Sequence, residues 1–304
     1  MKRLCLVGLG VITKHYQKGL EDSNHFDLVA VCDCNEGALA RNLYSSFPFY
    51  TDYKAMIEAE SPDVLLIATP PATHFEIAEY ALKKGVGVIL EKPATLCLDD
   101  LKRLQSISEE LDVPFTTMFH WQTGEEVIYF NKCFDNEKIA EIEVYINDCY
   151  SLNGVSINKD RISLGGAWVD SGVNALSLVD SLVPFDDYEI IAIDVQKCTE
   201  TALPIFVKAR LNVAHNRRTI SVTISVDWRN DSSSKYTLLN MSDDSKIIIE
   251  HTAQTIKTSD NEIVLDDMPR LQRHYYNYFT NFEGSSADDA LKIHQLLFEV
   301  NKHI

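Results

Sequence analysis

The segment GGAWVDSGVNALS, residues 165–177, places an aspartate and an asparagine four residues apart where a predicted loop becomes a helix. This spacing puts the side chains of Asp170 and Asn174 on one face of the helix. A carboxylate accepts protons and hydrogen bonds, whereas an amide orients a hydroxyl group without ionising. Aspartate also caps helices well, so a structural role for Asp170 is the alternative. The pair is therefore either a reactive site or a helix start.

A lysine follows an apolar run in the first third of the chain. Lys92 comes after VGVIL, residues 86–90, and lies within the tripeptide Glu91-Lys92-Pro93. An ammonium group at the end of a buried strand can donate a hydrogen bond to a reacting hydroxyl and stabilise the alkoxide that develops. A solvated loop lysine is the alternative. Lys92 is thus a second candidate for chemistry.

Short apolar runs recur before and after this lysine, with helical patterns such as 74–84 and 98–111 between them. The runs are residues 3–7, 28–32, 64–68, 86–90 and 113–119. Continuous apolar strands that alternate with helices predict a parallel sheet covered on both faces. Functional residues of such a sheet lie at the carboxyl ends of the strands. Every run is followed there by a glycine or polar cluster: GLG, Asp33, TPP, EKP and HWQ.

The first turn, GLGVIT, is a partial nucleotide-binding signature. Gly8 permits a tight turn, and Gly10 lets the backbone approach a pyrophosphate. Thr13 replaces the third glycine of the motif. Asp33 lies about 20 residues further on, where a carboxylate binds the ribose hydroxyls and repels a 2′-phosphate. No basic residue follows until Arg41, which favours NAD over NADP.

The pattern changes after residue 122. TISVTISV, residues 219–226, alternates strictly, as in a sheet with one buried face. Little helix separates it from the other predicted strands, and helical periodicity returns over 270–282 and 287–303. These strands are 139–146, 188–195, 205–213, 236–239 and 246–250. We predict a Rossmann α/β domain at 1–122 and an α+β domain with an open, mainly antiparallel sheet at 123–304.

Composition narrows the classes of partner. The formal net charge of −17 repels phosphate backbones and anionic lipid surfaces, so nucleic acid and membrane partners are not expected. The seven cysteines are scattered and complete no metal-ligand spacing, so no metal site is expected. Reduced thiols and a cytoplasmic location are the predicted state.

Three features together resemble the glucose–fructose oxidoreductase / inositol dehydrogenase / MocA family of nicotinamide-dependent sugar dehydrogenases. They are GLGVIT with Asp33, ATPPATH (68–74) with EKP (91–93), and GGAWVDSGVNALS. The resemblance implies a sugar or polyol bound between a Rossmann domain and an open-sheet domain, in a homodimer or higher homo-oligomer. It implies that Lys92 is catalytic, with a cis peptide before Pro93. His74 is expected near the cofactor, with core packing or capping as its alternative. The predicted NAD-binding residues are Gly8, Gly10, Val11, Ile12, Asp33, Thr69, Pro70, His74, Glu91 and Lys92.

The chain departs from the family at Asn174, where most members carry the histidine of Asp-x-Gly-x-His as proton acceptor. Asn174 is instead similar to the galactose and arabinose 1-dehydrogenase branch, whose preceding strand also contributes an acid, here best matched by Asp148. An anomeric hydroxyl is more acidic than an ordinary secondary alcohol, so such a substrate does not need the histidine. The predicted catalytic residues are Lys92, Asp170 and Asn174. The predicted substrate contacts are Lys92, His120, Gln122, Asp148, Trp168, Asp170 and Asn174.

The sequence therefore predicts an NAD-dependent oxidoreductase, with NADP disfavoured as cofactor. The expected reaction transfers a hydride between the anomeric carbon of a galactose- or arabinose-like aldose and the nicotinamide. Two alternatives stay open. One is a dehydrogenase of a cyclitol or another secondary alcohol of a sugar. The other is a non-catalytic relative that senses a dinucleotide or a sugar.

Overall fold

The computed structural model describes residues 1–39, 43–152 and 155–304. The strands are β1 Lys2–Val7, β2 Phe26–Cys32, β3 Phe49–Tyr50, β4 Val64–Ile67, β5 Gly87–Glu91, β6 Phe115–Met118, β7 Ile139–Asn147, β8 Ser151–Leu152, β9 Ser156–Ile157, β10 Asp187–Lys197, β11 Pro204–His215, β12 Arg218–Asp227, β13 Ser234–Met241, β14 Lys246–Glu250, β15 Thr255–Lys257 and β16 Glu262–Val264. The α-helices are α1 Gln17–Glu21, α2 Glu36–Leu39, α3 Tyr53–Glu60, α4 His74–Lys83, α5 Leu98–Leu111, α6 Glu125–Cys133, α7 Val173–Leu182, α8 Arg270–Thr280 and α9 Ala287–Asn301. None of these helices is long and apolar enough to span a membrane.

The first compact unit contains residues 1–120 and 271–292. Its six strands form a parallel sheet in the order β3-β2-β1-β4-β5-β6. All residues of β4 and β5 are buried, because apolar clusters cover both faces of the sheet. The predicted doubly wound Rossmann fold is confirmed. The strand order reverses at β1 and β4, and ligands of such sheets bind beside this point at the carboxyl ends of the strands.

Helix α8 belongs to this first unit although it lies near the end of the sequence. Its residues Tyr275, Tyr278 and Phe279 are buried in the cluster that covers one face of the parallel sheet. Gly19 of α1 permits the close approach, since a Cβ atom there would lie 2.9 Å from the carbonyl oxygen of Tyr275. A single division of the chain after residue 122 therefore does not describe the first unit, because residues distant in sequence complete its core.

The second unit contains residues 121–270 and 293–304. Its eight-stranded sheet has the order β10-β11-β12-β7-β13-β14-β15-β16. The β7–β12 pair is parallel and the other neighbours are antiparallel, so the predicted open, mainly antiparallel sheet is confirmed. The apolar residues Ile220, Val222, Ile224 and Val226 of β12 are buried, and the polar residues between them are more exposed, as the period of two predicts. Helix α7 is buried along almost all of its length.

Candidate active site

The glycine turn after β1 is joined to the end of β2 by a carboxylate. Gly8 has a φ of +93°, and a Cβ atom there would lie 2.7 Å from the carbonyl of Ala68. The backbone N–H of Leu9 donates to Asp33 Oδ2 at 2.8 Å, and that of Asn35 donates to Asp33 Oδ1 at 2.9 Å. A carboxylate has about four acceptor positions. Asp33 therefore keeps acceptor capacity on each oxygen for ribose hydroxyls.

A cavity of about 660 Å³ adjoins this turn. It brings together three predicted cofactor residues, Gly10, Val11 and Asp33, with Lys14 and others that the sequence argument did not single out. A Cβ atom on Gly10 would meet nothing within 4 Å, so the backbone there is open to a ligand. Ile12 is partly buried against the core instead. The complete set of lining residues is Leu9, Gly10, Val11, Lys14, Asp33, Asn35, Gly37 and Ala38.

These residues fit a nicotinamide dinucleotide. The cavity has open backbone at Gly10 for a pyrophosphate and a carboxylate for a ribose. Lys14 adds a positive charge to the lining of the cavity. Its position in the sequence, four residues after the second glycine of the motif, could have predicted this role. Thr13, at the position of the third glycine, donates its hydroxyl to the Gly10 carbonyl oxygen at 2.9 Å and so stabilises the turn. Arg41, used above in the argument for NAD, lies outside the described residues.

His74 joins the ends of β4 and β5. The ring is fully buried, with Nε2 2.8 Å from the carbonyl oxygen of Thr69 and Nδ1 3.0 Å from that of Pro93. Burial lowers the pKa of His74 below its usual value. The Lys92–Pro93 peptide is cis, as the resemblance implied. His74 therefore acts on the cofactor loops by holding Thr69 and Pro93, and its alternative of core packing describes it better than cofactor contact.

Two further predicted contact residues are interior residues of the first unit. Glu91 is 5% exposed, and its carboxylate accepts hydrogen bonds from Tyr16, Tyr275 and the backbone N–H of Lys92. His120 is 3% exposed, with Nδ1 3.3 Å from His274 Nδ1 and its ring stacked on Tyr275 at 4.8 Å. Glu91 was predicted to contact the cofactor and His120 to contact the substrate. Neither prediction expected these side chains to be buried.

Asp170 lies within a single π-helical turn, Trp168–Gly172, that leads directly into α7. Such turns occur frequently at functional sites. The N-cap positions of the two helical segments are Ala167 and Gly172, so Asp170 is not an N-cap residue. Asn174 is 8% exposed, and its amide nitrogen lies 3.4 Å from the Asp170 carbonyl oxygen. The π turn therefore keeps the two residues close, as their spacing predicted.

Asp148 reaches this π turn from the end of β7. The hydroxyl of Ser171 lies 3.4 Å from Asp148 Oδ2, while Asp148 Oδ1 forms a 2.6 Å ion pair with the Lys235 ammonium. Lys235 also donates to the Asn147 carbonyl oxygen at 2.9 Å and the Ser233 hydroxyl at 2.7 Å. Lys235 is on β13, and its three donors are thus all used. The side chain of Asp148 is 19% exposed, so its carboxylate is accessible while held in place.

The remaining predicted substrate residues differ in exposure. Trp168 is fully buried, and its indole N–H donates to the Leu297 carbonyl oxygen at 3.0 Å. Trp168 is therefore a packing residue and not the predicted sugar contact. Gln122 is half-buried, and its amide donates to the Ser177 carbonyl oxygen at 3.2 Å. Tyr150 is a residue that the sequence argument missed: burial and then the charges of Asp148 and Asp170 raise its pKa above the usual value, so it remains a hydroxyl donor.

Comparison with known proteins finds a family match in the N-terminal part of the chain. Residues 2–119 match the oxidoreductase family with an NAD-binding Rossmann fold. This is the glucose–fructose oxidoreductase / inositol dehydrogenase / MocA family, so the resemblance predicted from the motifs is confirmed, and with it the NAD-binding fold.

Curated relatives match over parts of their length. The chain is 29% identical to D-apiose dehydrogenase of Paraburkholderia graminis over 127 residues, 40% of this chain and 34% of that protein. It is 26% identical to D-glucoside 3-dehydrogenase of Escherichia coli over 184 residues, 57% of this chain and 52% of that protein. The matched segments thus span between a third and about half of these relatives.

Solved structures resemble the whole chain in fold. The myo-inositol 2-dehydrogenase of Lactobacillus plantarum superimposes with a TM-score of 0.80 at 18% identity, covering 99% of this chain and 96% of that one. A dehydrogenase of Clostridium difficile gives a TM-score of 0.79 at 16% identity, covering 100% and 99%. The arrangement of a Rossmann unit followed by an open-sheet unit is therefore shared with these dehydrogenases.

Proposed function

We propose that the protein is an NAD-dependent dehydrogenase that oxidises the anomeric carbon of an aldose, with galactose- or arabinose-like sugars as first candidates. The names of its relatives support the coarser part of this proposal, because they are dehydrogenases of sugars and of a cyclitol. The Asp33 carboxylate and the open backbone at Gly10 support binding of the dinucleotide. The predicted homodimer and cytoplasmic location remain predictions.

The proposed chemistry divides between a cation and an anion of this chain. A bound nicotinamide would supply the acceptor for the hydride that leaves the anomeric carbon. The Lys92 ammonium donates a hydrogen bond to the oxygen of the reacting hydroxyl and stabilises the negative charge that develops there. The Asp170 carboxylate accepts the hydroxyl proton and passes it to water. Asp148, held by Lys235, accepts a hydrogen bond from another sugar hydroxyl.

Asn174 is the observation on which the anomeric assignment depends. The amide is largely buried within 3.4 Å of the Asp170 backbone. The motif resemblance places an ionisable histidine at this position in most of the family. An amide can orient the substrate but cannot take up a proton. A site without that histidine is therefore best suited to a hydroxyl that ionises readily, and an anomeric hydroxyl does so because the ring oxygen withdraws electron density.

A secondary alcohol is the second candidate for the reacting group. It is favoured by the relative named for position 3 of a glucoside and by the inositol dehydrogenase of similar fold. With such a substrate the Asp170 carboxylate would accept the proton without help from a neighbouring base. The two candidates differ in what a histidine at position 174 would do.

The deciding experiment measures NADH formation by absorbance with a panel of free aldoses and cyclitols, using the wild type and the Asn174→His variant. We expect the wild type to oxidise aldoses to lactones and Asn174→His to gain activity on secondary alcohols. We expect Lys92→Met to lower kcat by about 100-fold or more, while the Kd of NADH changes little. Wild-type turnover on cyclitols alone would contradict the anomeric assignment.

The absence of NADH formation with every sugar of the panel would have a different meaning. If wild type and Lys92→Met bind NADH equally and neither turns over any sugar, the protein is not a dehydrogenase of free sugars. The sensor alternative would then account for the retained dinucleotide site.

A further inference from the structure

The Glu91 carboxylate connects three segments of the first unit. Tyr16 and Tyr275 each donate a phenolic hydrogen bond to Glu91 Oε1 at 2.7 Å. The backbone N–H of Lys92 donates to Glu91 Oε2 at 3.0 Å. Glu91 is buried, and a buried carboxylate is stable only when such donors replace water. Two phenols and one backbone N–H group therefore hold the Glu91 side chain in place.

The two phenols come from distant parts of the sequence. Tyr16 follows directly after the helical turn Val11–His15, which continues the glycine turn of the cofactor cavity. Tyr275 is in α8, 184 residues from Glu91. Their rings pack edge to face with centroids 4.7 Å apart, and both are fully buried. Their hydroxyl groups thus have little freedom to leave the carboxylate.

The Tyr16 phenol remains a donor over the whole physiological pH range. Burial, followed by the negative charge of Glu91, raises the pKa of Tyr16 well above its usual value. A neutral phenol donates a hydrogen bond to the carboxylate, whereas a phenolate would repel it.

Glu91 is the last residue of β5, and Lys92 is the residue that follows it. The Glu91 side chain is held on the face of Tyr16 and Tyr275, and it accepts the N–H group of Lys92 itself. Any rotation of the Glu91 carboxylate would therefore release the backbone from which the Lys92 ammonium projects.

We propose that Tyr16 and Tyr275 are positioning residues for Lys92, acting through the Glu91 carboxylate and joining the cofactor turn to the catalytic lysine. The proposal rests on the proposed function in so far as Lys92 is the catalytic residue. It assigns Glu91 a role in geometry in place of the cofactor contact predicted from the sequence. It also gives α8 a part in the reaction although none of its residues is assigned to substrate or cofactor.

The activity test uses Tyr16→Phe, Tyr275→Phe and the double variant, each of which keeps the ring and removes the hydroxyl. Tyr278→Phe is the matched control, because Tyr278 is buried in the same helix and its hydroxyl makes no hydrogen bond to Glu91. On a sugar that the wild type oxidises, we expect kcat to fall about 10-fold in each single variant and further in the double variant. KM for the sugar and the Kd of NADH should stay within about twofold.

A second measurement needs no substrate. Protein labelled with ¹⁵N-lysine gives one backbone amide resonance per lysine, and Lys92→Arg identifies that of Lys92. We expect this resonance to shift in Tyr16→Phe and Tyr275→Phe and more in the double variant, with no shift in Tyr278→Phe. An unmoved resonance in the double variant, or an equal shift in the control, would overturn the positioning role. Absence of turnover with the expected shifts would reject the proposed function alone.

Discussion

At the residue scale, the ion pair of Asp148 and Lys235 fixes the carboxylate that reaches the π turn. Lys235 uses all three of its donors on Asp148, Asn147 and Ser233, so the Asp148 carboxylate is held in one orientation. Under the proposed function, this fixed orientation suits Asp148 to accept a hydrogen bond from a sugar hydroxyl.

We expect Lys235→Met to lower the free energy of unfolding by about 3 kcal/mol, because it leaves Asp148 as a largely buried carboxylate without its ion-pair partner. Urea unfolding measures this change. Lys246→Met, at an exposed lysine on the neighbouring strand β14, should change it by less than about 0.5 kcal/mol.

Adding Asp148→Asn to Lys235→Met should recover most of the lost stability, since the buried charge is then gone. A double variant as unstable as Lys235→Met alone would show that Lys235 stabilises the sheet through the Asn147 and Ser233 contacts rather than through Asp148.

At the element scale, the glycine turn after β1 combines a requirement of the fold with a requirement of binding. Gly8 has a positive φ, and a Cβ atom there would lie against the backbone of Ala68 and Thr69, which follow β4. Gly10 has open space where a side chain would be. The two glycines of one motif are thus needed for different reasons.

Gly8→Ala and Gly10→Ala should therefore separate stability from binding. We expect Gly8→Ala to reduce the free energy of unfolding by about 3 kcal/mol or more, from overpacking and backbone strain together. Gly10→Ala should leave it within about 0.5 kcal/mol but raise the Kd of NADH about 10-fold, because the new methyl group meets the pyrophosphate. Urea unfolding and NADH fluorescence titration measure the two effects, and equal loss of stability in both variants would contradict this division.

The elements of the parallel sheet were largely predictable, because continuous apolar runs between helices leave few other arrangements. Strand β3 could not be predicted, because it contains only Phe49 and Tyr50 and two residues show no periodicity. The strict alternation of residues 219–226 likewise predicted β12, whereas β15 and β16 are three residues each and show no period.

The site was predictable where one strand end or one helical turn contains its residues, as for Gly10, Asp33 and the Asp170–Asn174 pair. It was not predictable where distant segments meet. Lys235 reaches Asp148 because β13 pairs with β7, and Tyr275 reaches Glu91 because α8 packs on the first sheet. Trp168 was predicted to contact the substrate, but its side chain is buried and its indole N–H donates to Leu297. The sequence could not separate these roles, because an aromatic residue beside a site motif is as often a packing residue as a ligand contact.

At the scale of the whole molecule, the first unit is completed by residues 271–292. A fragment of residues 1–122 would lack Tyr275, Tyr278 and Phe279, whose burial contributes on the order of 10 kcal/mol. Because domains are stable by only about 5–15 kcal/mol, we expect this fragment to show no cooperative thermal unfolding and no NADH binding.

Residues 271–292 joined to the fragment through a Gly/Ser linker should restore both properties, as measured by circular dichroism and NADH fluorescence. A fragment 1–122 that unfolds cooperatively and binds NADH as the full chain does would contradict the role of the returning helix.

The return of α8 to the first unit also sets an order of events during synthesis. At about 5–20 residues per second, the ribosome takes roughly 8–30 s to add the residues between 120 and 271. Throughout that interval the nascent Rossmann sheet has one apolar face without its final aromatic cover, and Glu91 has no Tyr275. Residues 121–270, the larger part of the second unit, are translated before the first unit can be finished, so the nucleotide pocket matures late although its glycine turn is among the first residues made.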